Sequence, residues 1–146
     1  MLKNFNPIQT IMREIQLPKK ILQNLLHHAQ QNPEQEVCGL ISCDEQQHYQ
    51  SYPIENNAAQ PSHFFNLEPQ QHIQAVATMR ENKQHLFAIY HSHPTAPAIP
   101  SSTDLDNANY PDALYFIISL NIKGVLEVRG YQLQQQQFVE VALSLL

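Results

Sequence analysis

Three short segments of the chain are apolar almost without interruption. They read "VCGLISC" at residues 37–43, "LFAIY" at residues 86–90 and "ALYFIISL" at residues 113–120. Runs of this length are too short to cross a membrane and match the length of strands that are buried inside a sheet. They therefore predict the inner strands of a β-sheet, and the rest of the chain has to cover that sheet.

Two longer segments have the apolar spacing of amphipathic helices. The first, "PKKILQNLLHHAQQNP", is predicted to be helical between Pro18 and Pro33. The second is predicted to begin at about Glu68 and to cover one face of the sheet. The residues that follow the helical spacing in this segment are Ile73, Val76, Ala77 and Arg80. A short third helix is expected to start at "STDLDNA".

Four further segments have the composition of strands. "IQTIMREIQLP" stops at Pro18, "HYQSYPI" follows the first apolar run, and "NIKGVLEVRGYQL" and "QFVEVALSL" close the chain on either side of a Gln-rich turn. The order of helices and strands is that of a mixed α/β fold, without repeats or a linker. With 146 residues, of which 42% are apolar, one domain over residues 1–146 is expected.

The charge balance excludes two classes of partner. Thirteen carboxylates face eight basic side chains, the net charge is −5, and no run of Lys or Arg occurs. A nucleic acid or an anionic membrane is therefore not an expected partner. Residues 1–17 carry Lys3, Arg13 and Glu14 where a signal peptide needs an uninterrupted apolar region, so a cytoplasmic protein is predicted.

The two cysteines do not indicate a metal site. Cys38 and Cys43 are five residues apart, an odd spacing that points them to opposite faces of a strand. Two cysteines also build neither a disulfide framework nor a zinc ribbon. Both are expected to be small buried or half-buried residues.

The stretch "IYHSHPTAPAIPSSTDLDNA" concentrates metal-binding side chains. If the preceding strand continues, His91 and His93 project from one face while Ser92 points away. Two imidazoles so placed can bind one cation at the Zn–N distance of roughly 2.0 to 2.1 Å. Asp104 could return as a third ligand after the prolines. Two His and one Asp leave a fourth tetrahedral position for water, as in a catalytic zinc site.

Each part of this stretch also has an ordinary structural interpretation. His-x-His is a weak signal in a chain with eight histidines, and the pair could be exposed and solvated. Ser101 followed by Asp104 resembles the N-terminal cap of a helix. For Asp104, cap and ligand can both be correct, because a helix start also fixes the position of a carboxylate.

Hydrolysis at such a site needs a group that accepts and then returns a proton. Glu36 precedes the first apolar strand and is the candidate. If that strand lies beside "LFAIYH", Glu36 reaches the same sheet edge as the two histidines. Taken alone, Glu36 would be an ordinary surface glutamate.

With these residues the chain resembles the JAMM, or MPN-plus, metalloprotease family. The motif of that family is matched by Glu36 in "EVCGLI", by His91-Ser92-His93-Pro94 and by Ser101-Ser102-Thr103-Asp104. The order of elements is similar to that of small stand-alone bacterial members over roughly residues 10 to 143. The resemblance implies one MPN/JAMM-like domain with a mixed, mostly antiparallel, curved sheet flanked by helices.

The resemblance also implies an activity and a role for each residue. Zn²⁺ would be bound by His91, His93 and Asp104, Glu36 would be the general base and then the acid, and Ser101 would stabilise the oxyanion. The implied reaction is hydrolysis of a peptide or isopeptide bond at the Gly-Gly-type tail of a ubiquitin-like or sulfur-carrier protein. A homodimer through the strands near the C-terminus is a further possibility.

Two alternatives belong to other functional classes. A catalytically silent MPN-type scaffold would only dock partners, but scaffolds of that kind typically lack the ligands that are present here. A zinc deaminase would need His-x-Glu followed by Pro-Cys-x-x-Cys, and a helical zinc protease would need His-Glu-x-x-His. The sequence contains neither pattern.

Overall fold

A seven-stranded sheet with three helices forms the fold. The structure, a computed structural model, describes residues 12–146. The elements in chain order are β1 (Glu14–Leu17), α1 (Lys19–Gln31), β2 (Cys38–Cys43), β3 (Tyr49–Ile54), α2 (Pro69–Glu81), β4 (His85–His93), α3 (Ser102–Asp106), β5 (Leu114–Ser119), β6 (Glu127–Gln134) and β7 (Gln137–Leu145).

The sheet is mixed and mostly antiparallel, as expected. The strand order is β1-β7-β6-β5-β4-β2-β3, and the sheet is curled. The pairs β2–β3, β2–β4, β5–β6 and β6–β7 are antiparallel, whereas β4–β5 and β1–β7 are parallel. The three apolar runs became β2, β4 and β5, which lie next to one another inside the sheet.

The two long helices cover opposite faces of the sheet. On one face, Ile21, Leu25 and Ala29 of α1 pack in a cluster with Tyr90 and Phe116. On the other face, Ala75 and Met79 of α2 join a second cluster, whose sheet residues include Leu40, Ile89, Tyr115, Ile117 and Tyr131. Because side chains alternate along a strand, the consecutive β4 residues Ile89 and Tyr90 belong to different clusters.

The predicted elements agree with the structure, with one error in orientation. Both long helices and all the predicted strands are present, and Glu68 caps α2. The first residues of the predicted strand before Pro18 lie outside the described residues. The apolar face assigned to α2 was wrong for three of its four residues: Val76 is half-buried against the second cluster, but Ile73 is 66% exposed and Ala77 and Arg80 are also exposed. Helix α2 contains few large apolar residues, so its spacing could not determine which side faces the sheet.

A glycine in β2 makes room for a tyrosine ring of β4. Gly39 lies opposite Tyr90, and a Cβ at this position would be 2.5 Å from the Tyr90 ring and 2.6 Å from the carbonyl oxygen of Tyr52. The hydroxyl of Tyr90 in turn makes a 2.7 Å hydrogen bond with Nδ1 of His28 on α1. Gly39 therefore makes room for the ring that ties α1 to the sheet.

Candidate metal centre

Strand β4 presents two histidines on the α2 side of the sheet. His91 and His93 continue the row that begins at Ile89, and their Nε2 atoms are 3.1 Å apart. Each histidine is only 4% exposed, so the alternative of a solvated surface pair is wrong. The ring of Phe65 stacks on His91 with the centroids 4.4 Å apart.

Asp104 reaches the same place from the start of α3. Its Oδ2 lies 3.2 Å from Nε2 of His91 and 3.3 Å from Nε2 of His93. The same oxygen accepts a hydrogen bond from the backbone N–H of Ser101, and the Asp104 N–H donates to Oγ of Ser101. The cap interpretation of this segment is therefore correct, and the reciprocal cap of α3 aims the Asp104 carboxylate at the histidines, where the ligand interpretation requires it.

Glu36 completes the cluster from the beginning of β2. Cys38 pairs with His91 across the antiparallel β2–β4 ladder, which brings the residues just before β2 to the end of β4. Glu36 is 6% exposed, and one ligand atom from each of Glu36, His91, His93 and Asp104 lies within 4.8 Å of all the others. The predicted juxtaposition at this sheet edge is confirmed.

The donor set fits a small divalent cation. The two Nε2 atoms of His91 and His93 are 3.1 Å apart, and Oδ2 of Asp104 lies 3.2 Å from the first and 3.3 Å from the second. Ligands of a tetrahedral zinc ion are about 3.3 Å apart. Nδ1–H of His93 donates to the carbonyl of Pro97 at 2.8 Å, which leaves its Nε2 lone pair free for a metal. Among residues 12–146, Oε1 of Glu36 is buried without any hydrogen-bond partner.

Burial and mutual contact shift the pKa values of all four groups. Burial raises the pKa of Glu36 to about 7, and the nearby His93 opposes that shift. Burial also dominates at His91, whose pKa is lowered despite its contact with Asp104. At His93 and Asp104 the burial effect is outweighed. The hydrogen bond with Asp104 raises the pKa of His93. The hydrogen bonds from His91 and His93 hold the pKa of Asp104 well below its usual range.

Ser101 lies beside the cluster and is not one of its four members. It is exposed and precedes α3, and its Oγ accepts the hydrogen bond from the Asp104 N–H. The hydroxyl proton therefore stays available for another acceptor. Cys38 and Cys43 are buried free thiols, as predicted, and neither belongs to the cluster.

Two residues that the sequence did not single out hold the Glu36 segment. Ser92 points away from the histidines, as predicted, but its buried Oγ accepts a 2.8 Å hydrogen bond from the N–H of Val37 and lies 3.4 Å from the carbonyl of Gln35. On the other side, Nδ2 of Asn56 donates to the carbonyl of Glu36 at 2.8 Å. A polar residue inside a buried strand was the only sequence signal for Ser92, and nothing marked Asn56.

The proline-rich loop between β4 and α3 is anchored at three successive carbonyl groups. Oγ of Ser119 donates to Ala96 at 2.7 Å, Nδ1 of His93 donates to Pro97, and the hydroxyl of Tyr131 donates to Ala98 at 2.6 Å. Side chains of β4, β5 and β6 therefore hold this loop on the sheet.

Two pockets border the cluster. The polar pocket, of about 430 Å³, is lined by His28, Asn32, Gln35, Glu36, Val37, Pro53, Ile54, Glu55, Asn56, Asn57, Glu68 and Gln71. The apolar pocket, of about 380 Å³, includes His91 and Asp104 in its wall. Its apolar side chains include Phe65, Leu67, Ile89, Ile117 and Phe138. Asn57 belongs to both walls, so the pockets meet beside the candidate centre.

Comparison with known proteins gives a family match and related enzymes. A family described as prokaryotic homologs of the JAB domain matches residues 18–133. The desampylase of Haloferax volcanii is 29% identical over 102 residues, which cover 66% of this chain and 73% of that protein. The CysO-cysteine peptidase of Mycobacterium tuberculosis is 28% identical over 111 residues, which cover 75% of each chain.

Solved structures share the fold. The solution structure of a protein from Desulfitobacterium hafniense has a TM-score of 0.78 and 30% identity, over 92% of this chain and 93% of that one. A JAB1/MPN domain protein from Archaeoglobus fulgidus has a TM-score of 0.53 with 15% identity, over 92% of this chain and 99% of that one, and so supports the fold alone. Within residues 12–146, no helix is long and apolar enough to cross a membrane.

Proposed function

We propose a substrate and a mechanism from one premise: the chain belongs to the prokaryotic homologues of the JAB domain and is a peptidase of the JAMM type. The proposed reaction is zinc-dependent hydrolysis of a peptide or isopeptide bond at the Gly-Gly-type tail of a ubiquitin-like or sulfur-carrier protein. The observation that carries the proposal is the cluster formed by the buried Glu36, His91 and His93 with the half-buried Asp104.

In the proposed mechanism, His91, His93 and Asp104 hold the metal. When bound, zinc would supply Lewis-acid polarisation of the scissile carbonyl and acidify a water molecule. Oε1 of Glu36 is free of hydrogen bonds and takes the proton from the attacking water. Glu36 then passes this proton to the nitrogen of the leaving amine, so one carboxylate serves both transfers. The hydroxyl of Ser101, which donates no hydrogen bond within the described residues, stabilises the negative charge on the carbonyl oxygen.

The proposed substrate class follows from the two named relatives. One is a desampylase and the other is a CysO-cysteine peptidase, and both names describe the removal of a group from another protein or adduct. A ubiquitin-like or sulfur-carrier protein with a conjugated or extended tail is the corresponding substrate here.

A cytoplasmic location and a homodimer are also part of the proposal. Among the described residues the edges of the sheet are β1 and β3.

The alternatives are less consistent with these findings. A silent scaffold would have no need of four converging ligand side chains, and the named relatives are peptidases. The deaminase interpretation is excluded by the family match over residues 18–133.

A cleavage assay with metal removal tests the proposal. The substrate is a small ubiquitin-like protein that ends in Gly-Gly and carries a C-terminal peptide extension. Mass spectrometry should detect cleavage directly after Gly-Gly. A chelator should abolish this cleavage and added Zn²⁺ should restore it, because three of the four clustered side chains are proposed metal ligands. Cleavage that persists after complete metal removal would contradict the mechanism.

A further inference from the structure

The two pockets that meet at the candidate centre differ in charge. Three carboxylates, those of Glu36, Glu55 and Glu68, belong to the wall of the polar pocket. No Lys or Arg of the described chain lines it. Among the described residues, the only carboxylate in the wall of the apolar pocket is that of Asp104, which already contacts both histidines. A substrate that crosses the centre therefore has its two ends in chemically different surroundings.

The position of Glu36 indicates which end of the substrate enters the polar pocket. Glu36 lines the polar pocket and is absent from the wall of the apolar pocket. In the proposed function, Glu36 gives its proton to the departing nitrogen. That nitrogen, and the group attached to it, must therefore lie on the Glu36 side of the scissile bond. A buried Oε1 without a hydrogen-bond partner marks this side as the place where a substrate or water proton is bound.

Hydrogen bonds in the wall of the polar pocket fix the positions of the Glu55 and Glu68 carboxylates. Gln71 donates its Nε2–H to Oε1 of Glu55 at 3.0 Å, and its Oε1 accepts the Glu55 N–H at 2.8 Å. Glu68 accepts hydrogen bonds from the N–H groups of Gln70 and Gln71 at the start of α2. His28 is the basic side chain in the wall, and its Nδ1 makes a hydrogen bond with the hydroxyl of Tyr90. These contacts hold two carboxylates at the pocket without neutralising their charge.

We infer that the polar pocket receives the leaving group and selects against one that carries a free carboxylate beside the released amine. This inference rests on the proposed function and narrows its substrate class. In the reaction the C–N bond breaks, the hydroxyl of water goes to the carbonyl carbon and its proton goes to the nitrogen. A leaving group that is a lysine side chain or the N-terminus of a longer peptide places only an amine among the carboxylates. A single released amino acid would bring a repelled carboxylate.

A matched pair of substrates tests this inference. Both are the same ubiquitin-like protein ending in Gly-Gly followed by one cysteine, and they differ only in whether the cysteine ends in a carboxylate or a carboxamide. We expect kcat/KM to be about tenfold higher for the carboxamide at low salt. This difference should narrow as salt screens the charges.

Two variants locate the source of the discrimination. Glu55→Gln removes one charge from the polar pocket and should lower the carboxamide-to-carboxylate ratio of kcat/KM. Glu81→Gln removes an exposed charge at the far end of α2 and should leave the ratio unchanged. Equal cleavage of both substrates by the unmodified protein would overturn the inference and leave the proposed function standing. Cleavage of neither, nor of the peptide-extended substrate, would instead overturn the proposed function, and the inference with it.

Discussion

The two halves of the candidate centre are held in place by different kinds of contact. The ligand half, from His91 to Asp104, is a continuous segment whose geometry comes from strand alternation, a helix cap and an anchored loop. The Glu36 half lies fifty-five positions earlier than His91 and is held by the side chains of Ser92 and Asn56. Strand alternation and a helix cap, which are both local, therefore arrange the proposed metal ligands, with distant contacts only to the loop between them, whereas the position of the proposed proton-transfer group depends on distant contacts throughout.

If the ligand half binds the metal, removing one of its histidines should have the largest effect. His91→Ala and His93→Ala should each lose most of the bound zinc and nearly all activity, because two ligands cannot retain the ion in competition with water. Metal analysis of the purified variants measures this. His85→Ala, on the exposed first residue of the same strand, is the matched control. Full zinc retention in both variants would refute the site.

If the Glu36 half carries only proton transfer, its variant should separate catalysis from metal binding. Glu36→Gln keeps the size of the side chain but cannot accept a proton. Turnover should fall by about 10²- to 10⁴-fold while the zinc content stays the same. Parallel measurement of kcat and bound zinc distinguishes the two halves. An active Glu36→Gln protein would assign the base elsewhere, and a zinc-free one would make Glu36 a ligand.

Ser92 tests whether the Glu36 half depends on its distant contacts. Ser92→Ala removes the acceptor of the buried Val37 N–H, which should destabilise the protein by about 1–3 kcal/mol. Turnover should fall as Glu36 loses its position, and the zinc content should be retained. Ser42→Ala is the control, since this buried strand serine makes only a 3.5 Å contact with Gln50. Urea unfolding and kcat should set the two variants apart, and equal losses of kcat would refute the positioning role.

The smallest effect is expected where the ligand half meets β6. Tyr131→Phe removes the hydroxyl that donates to the carbonyl of Ala98, at a cost of about 1 kcal/mol. Zinc affinity should fall by less than about tenfold, because His93 and Ser119 still anchor the loop. Competition with a chromophoric chelator measures this change. Tyr52→Phe, which removes a hydroxyl bonded to Gln84, should leave the affinity unchanged.

The sequence predictions succeeded where a feature depends on local patterns and failed where it depends on tertiary contacts. The strand alternation that placed His91 and His93 together requires only a regular β4. The cap at Ser101 and Asp104 requires only a helix start. The face of α2 was predicted around Ile73, which is exposed, whereas Ala75 and Met79 pack against the sheet. Which side of a weakly apolar helix is buried depends on the shape of the surface that it meets.

The amino-acid sequence by itself determined the mixed fold, the three proposed ligand side chains and the candidate base, because these depend on short-range periodicity and on residue chemistry. Only the tertiary structure decided that Glu36 is buried, that Ser92 and Asn56 hold its segment, and that a polar and an apolar pocket meet at the centre. Those features depend on contacts between residues far apart in the chain. Their register is set by the antiparallel pairing of β2 with β4, which no local pattern encodes.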